Sequence, residues 1–140
     1  MLKCIKRIDN ISKKEYNISG GEGEVFQVES YKLENGKVPV EDFIRGLEPK
    51  MRAKALAQIE LLAEFGNELR EPYSKHVGDG LFELRIKFSS DISRIFYFFV
   101  VDNKIILTNG FIKKTMKTPK TELELARKYK KDYERRMPHE

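Results

Sequence analysis

The spacing of apolar residues along this chain changes from a strand period to a helix period and back. Val25–Leu33 is rich in strand formers (Val25, Phe26, Val28, Tyr31) and stops at Glu34-Asn35-Gly36. Asn35-Gly36 would suit a hairpin, but the next segment reads as helix. Pro39 is a favourable first helical residue, and Phe43, Ile44 and Leu47 then share one face. A second helix starts near Pro49: Met51, Ala55, Ile59, Leu62 and Ala63 recur at helical spacing, and Gly66-Asn67 is a natural stop. Two helices with so short a connection predict a helical hairpin packed on a sheet.

From Leu81 the period becomes two. Phe82, Leu84, Ile86 and Phe88 point one way, and Leu81, Glu83, Arg85 and Lys87 the other. Ser89-Ser90-Asp91 is a turn. Arg94–Val101 is apolar on both faces and predicts a central strand. Asp102-Asn103 predicts a two-residue hairpin turn, and Lys104–Phe111 the next strand. A last helix is expected from Thr118 as N-cap with Pro119 at its first position, and Leu123, Ala126, Tyr129, Lys130 and Tyr133 form its mostly apolar stripe. The order β-α-α-β-β-β-α describes an α+β fold with an antiparallel-rich sheet. Residues 1–24, with the breaker Ser19-Gly20-Gly21-Glu22-Gly23, read as an N-terminal extension, residues 25–136 as the domain and 137–140 as a tail.

At 140 residues the chain suits one domain with a single core. No apolar run approaches the roughly 18–20 residues of a membrane span, and lysines, an arginine and an aspartate interrupt the N-terminus where a signal peptide would be apolar. A single cysteine, Cys4, excludes an internal disulfide or a cysteine-rich zinc site, and a cytoplasmic location is the simplest expectation. Charge is unevenly placed. Residues 1–70 hold 12 basic and 12 acidic side chains and residues 71–140 hold 15 and 10, so the net +5 arises entirely in the second half. An anionic partner on that half is expected; the plain alternative is a lysine-rich solvated surface.

The densest cations are Lys113, Lys114, Lys117 and Lys120, held where a strand becomes a helix. Arg85 and Lys87 share a strand face. With an even loop after Phe88, Lys87 would lie opposite Arg94, and all three would share that face. Tyr73, Lys75 and His76, in the loop before that strand, could reach the same edge. Cations interleaved with Tyr73, Tyr97 and Phe111 suit single-stranded RNA, phosphates on the cations and bases on the rings. Each residue also has an ordinary reading: Arg94 ion-paired with an acid such as Glu83, Arg85 solvated, Tyr97 and Phe111 in the core, His76 a surface histidine. No histidine, cysteine and carboxylate spacing gives a metal-ligand set, and no glycine-rich phosphate loop follows a strand, so neither metal nor cofactor is expected. Metal-free RNA cleavage needs a base, charge stabilisation of the phosphorane and an acid. A lysine depressed by neighbouring cations can be the base, arginines can hold the charge, and His76 could titrate near neutrality.

Gly78-Asp79-Gly80-Leu81-Phe82-Glu83-Leu84-Arg85, followed by Arg94-Ile95-Phe96-Tyr97, resembles the RelE/ParE toxin superfamily. Gly110-Phe111-Ile112-Lys113-Lys114-Thr115-Met116-Lys117-Thr118-Pro119 resembles its phage-derived HigB-like branch, and Asn35–Phe43 its usual entry to the first helix. The resemblance spans about residues 25–136. It implies a RelE-like fold and a toxin of a type II toxin–antitoxin system. It further implies a metal-independent, ribosome-dependent mRNA endoribonuclease that inhibits translation, with a helix-turn-helix antitoxin as partner and a homodimer or toxin–antitoxin hetero-oligomer as assembly. Arg85, Arg94, Lys113, Lys114 and His76 are then the catalytic candidates, and Lys75, Lys87, Lys117, Lys120, Tyr73 and Phe111 the RNA-binding ones. Lys75 and His76 fall in the variable loop. The family's frequent histidine before Gly-Phe is Asn109 here. A ParE-like gyrase-binding toxin that cleaves nothing, and a non-toxic RNA-binding relative, are the competing readings.

Overall fold

A computed structural model of the protein describes residues 25–114 and 117–137. The expected extension 1–24 lies outside the described residues, as do Thr115, Met116 and residues 138–140. The elements in chain order are β1 (Gln27–Ser30), α1 (Pro39–Arg45), α2 (Pro49–Phe65), a short 3-10 turn (Gly66–Glu68), β2 (Ser74–Gly78), β3 (Leu81–Phe88), β4 (Asp91–Val100), β5 (Lys104–Ile112) and α3 (Lys120–Arg136). The fold is α+β and RelE-like. One five-stranded sheet runs in the order β1-β5-β4-β3-β2. Among the described strands only the β1–β5 pair is parallel.

Strand β2 falls where the sequence pattern predicts a loop over Tyr73–His76. Ser-Lys-His-Val-Gly carries no apolar alternation, because β2 is an edge strand that buries little beyond Ser74. Its turn into β3 uses Asp79 and Gly80, both at positive φ (56° and 76°). The β4–β5 loop also differs from expectation. Val100 pairs with Lys104, so Val101 joins Asp102 and Asn103 in a three-residue loop.

The helical hairpin packs on one face of the sheet. Val40, Ile44, Leu47, Met51, Ala55, Ile59 and Leu62 meet Leu84, Ile86, Ile95, Tyr97, Ile105 and Leu107 there. The Arg52 guanidinium ties the two helices together by donating to the carbonyls of Ile44, Arg45 and Leu47 at the C-terminus of α1 (3.2, 3.1 and 2.8 Å), where carbonyls lack helical partners. Gly110 lets α1 approach β5: a Cβ there would fall 2.4 Å from the Phe43 ring. Helix α3 covers part of the opposite face. Leu123, Ala126, Tyr129 and Tyr133 pack over Leu81, Phe96, Phe98, Ile106 and Tyr31, as their helical spacing requires. At its C-terminal end Asp132 accepts from the Tyr31 hydroxyl and from Arg136.

Candidate nucleic-acid interface

Register decides which side chains meet. Ser89 and Ser90 close a two-residue turn that pairs Phe88 with Asp91. Arg85 therefore lies directly opposite Arg94, and Lys87 opposite Ile92 rather than Arg94 as expected. All three still belong to the α3 face, since strand side chains alternate. Arg94 is opposite Phe111 on β5, and Lys75 is opposite Glu83 from β2. The result is a cationic end of the sheet next to the N-terminal end of α3.

Glu83 sits beneath it, with its side chain only 2% exposed. One carboxylate oxygen, Oε2, lies 3.5 Å from Arg94 Nε and 3.7 Å from Arg85 Nε. The other, Oε1, accepts a hydrogen bond from the Thr118 hydroxyl at 3.1 Å. Arg94 is almost fully buried and also donates to the Ser93 carbonyl (3.2 Å). Burial pulls its pKa down, Glu83 opposes that pull and Arg85 adds to it. The ion-pair reading of Arg94 is thus what the geometry contains. Arg85 is more open, with 26% of its side chain exposed.

Lys113 extends the sheet one residue past β5, its amide donating to the Ile92 carbonyl at 2.8 Å. Its ammonium has a pKa below the ordinary lysine value. Desolvation is the largest cause, then the positive charge of Arg94, with Arg85 and Lys75 adding and Glu83 opposing. Arg85, Arg94, Lys113 and Lys75 therefore share one electrostatic neighbourhood. Lys87, Lys114, Lys117 and Lys120 are exposed around it.

Other candidates are not brought together with these. His76 pairs with Phe82, and its ring lies 4.9 Å from the Phe82 ring on the face that carries α1 and α2. The alternation that aims Lys75 at Glu83 aims His76 the other way. Tyr73 gives its carbonyl to the Arg85 amide (2.8 Å), while its side chain lines a hollow with Leu61, Phe65 and Leu69. Tyr97 is core: it is 1% exposed, stacks on Phe82 and shares a hydrogen bond with the Ser74 hydroxyl. Burial pushes its phenol pKa up to about 12. Phe111 is buried against Phe96, ring centroids 5.5 Å apart. Neither Tyr97 nor Phe111 presents an open ring for a base.

Thr118 departs from its expected place, and Asn109 has a structural role. Thr118 does not cap α3. Pro119 occupies the N-cap, and the Thr118 hydroxyl goes to Glu83. Asn109 is buried, and its amide donates to the carbonyl (3.2 Å) and carboxylate (3.4 Å) of Glu122, fastening β5 to the first turn of α3. Two signals point to Glu83 in the sequence: it shares a strand face with Arg85, and Arg94 needs an acid as its partner. Among the described residues no three His, Cys, Asp or Glu side chains converge to hold a metal ion, and no helix is long and apolar enough to cross a membrane.

The pattern of the family described as Phage derived protein Gp49-like matches residues 42–131, a span that runs from α1 into α3 and contains every element of the cationic site. No curated protein matches the chain. With well over half its length inside that match, and with the RelE-like fold around it, the chain belongs to the phage-derived Gp49-like family, a toxin-like family of the RelE/ParE kind.

Proposed function

We propose that this chain is the toxin of a type II toxin–antitoxin pair, and that residues 25–136 form a metal-independent endoribonuclease acting in the cytoplasm on ribosome-bound mRNA. The observation that carries this reading is the convergence of Arg85, Arg94 and Lys113 on the sheet end that α3 leaves open, with the Lys113 ammonium depressed by its surroundings. In the reaction the RNA 2′-hydroxyl attacks the adjacent phosphorus. The bond from phosphorus to the 5′-oxygen breaks, leaving a cyclic 2′,3′-phosphate and a 5′-hydroxyl. Arg85 and Arg94 hold the charge that builds on the phosphorane oxygens. Lys113, in its neutral form, takes the 2′-proton. A protonated neighbour such as Lys114 supplies the proton to the departing oxygen. Lys75, Lys87, Lys117 and Lys120 contact flanking phosphates. Base stacking is no part of this reading for Phe111, and proton transfer is none for His76. An antitoxin with a helix-turn-helix DNA-binding element is the expected partner.

Primer extension on translated mRNA after induction tests this. The wild-type chain yields discrete cuts and Lys113→Ala few or none, while both accumulate as folded protein. Growth arrest with no cuts would favour a gyrase-binding toxin, and salt-sensitive RNA binding without arrest a non-toxic RNA-binding relative.

A further inference from the structure

A carboxylate buried at the middle of a phosphate grip needs a reason, since it opposes the charge of the ligand. Glu83 stands two residues from Arg85 on β3, diagonal to Arg94 and directly opposite Lys75, and its two oxygens divide their work. Oε2 faces the Nε atoms of Arg85 and Arg94 at 3.7 and 3.5 Å, and neither Nε has a hydrogen-bond partner among the described residues. Oε1 takes the hydroxyl of Thr118, which lies two residues before α3 begins. The strand half of the site and the helix-entry half, with its lysines, therefore meet at one buried side chain. Long cationic side chains lose rotamer freedom when they bind, and a fixed carboxylate removes part of that loss beforehand.

Resting on the reading of this site as an RNA-phosphate grip, we propose that Glu83 is its positioning residue. It orients Arg85 and Arg94 through their Nε ends and pins the entry to α3 through Thr118, so that arginines and lysines form one preorganised surface. The terminal nitrogens of Arg85 and Nη2 of Arg94 serve the phosphate, Nη1 of Arg94 donates to the Ser93 carbonyl, and the carboxylate touches the protein alone.

The test measures amide hydrogen exchange and affinity for a short single-stranded 2′-O-methyl RNA, which binds without being cut, on the full chain. Glu83→Gln keeps the shape and removes the charge. Thr118→Val removes the hydroxyl and leaves the ion pairs, so it stays informative if Glu83→Gln folds poorly. Both variants should speed exchange at the Lys117 and Thr118 amides while the β4 amides stay protected. RNA affinity should fall about tenfold for Glu83→Gln, the scale seen when a group that orients a binding residue is lost, and about threefold for Thr118→Val. Glu83→Gln combined with Arg85→Ala should lose less affinity than the product of the two single losses, because part of the Glu83 effect runs through that arginine and the rest through Arg94 and Thr118. Unchanged or tighter binding by Glu83→Gln, or losses that simply multiply in the double variant, would overturn the positioning role. Normal RNA binding by Arg85→Ala alone would instead bring down the RNA reading itself, and this inference with it.

Discussion

The two faces of the sheet are built from alternating residues of the same strands, yet they do opposite things. The face under α1 and α2 is closed: Leu84, Ile86, Ile95 and Tyr97 are all but fully buried against the helical hairpin. The face under α3 is covered only in part. Leu81, Phe96 and Phe98 lie beneath the helix, and two to four residues along the same strands Arg85 and Arg94 stand around Glu83. A helix that covers part of its face leaves the rest of each strand free to hold charge on a rigid support. The closed face provides the stability, and the open end carries the cations.

If that division is right, damage to the two faces should read out differently. Leu84→Ala opens a cavity on the closed face and should cost about 2–5 kcal/mol in denaturant unfolding. A loss below about 1 kcal/mol would mean that this face is not the main core.

Tyr97 gives a pH signature for the same face. Its phenol titrates near 12 when folded against 10.0 ordinarily, so the neutral form is favoured in the folded state. The stabilisation is fully present below pH 10 and is lost as pH rises toward about 12, a change of roughly 3 kcal/mol. Tyr97→Phe lacks the ionising group and should lose less stability over that window in alkaline denaturation. Parallel curves for the two proteins would contradict the buried phenol.

On the open end the effects should fall on binding. Lys87→Ala should weaken RNA binding severalfold and lower the slope of log affinity against log salt by about 0.7, as for one lost phosphate contact on a single strand. An unchanged slope would place Lys87 off the phosphate path. His76→Ala should be the smallest effect of all, with RNA affinity within about twofold of wild type, because His76 lies against Phe82 on the other face. A large loss there would break the two-face account.

The elements most legible in the sequence were those with strong periodicity. The α1–α2 hairpin, the β3–β4–β5 meander and α3 follow from apolar spacing, and the cationic face follows from alternation once register is fixed. Register was the missing quantity. The two-residue turn at Ser89 and Ser90 sets Arg85, not Lys87, against Arg94. Strand β2 was invisible because an edge strand needs no apolar pattern, and with it went the knowledge that Lys75 and His76 point to opposite faces. Phe111 and Tyr97 looked available because an aromatic residue in a strand gives no sign of which partners bury it. Thr118 looked like a cap because its sequence neighbours favour one, and only the fold brings Glu83, 35 positions away, to its hydroxyl.

The central claim is that the open end of the α3 face binds RNA phosphates through the paired arginines. Arg85→Ala tests it most directly, because Arg85 is the more exposed of the pair and Glu83 keeps Arg94 as its closer partner. In anisotropy titrations with the 2′-O-methyl RNA, the account predicts at least about a tenfold loss of affinity, the scale of a charge-assisted contact, with thermal unfolding nearly unchanged. Wild-type affinity in a folded Arg85→Ala protein would contradict it.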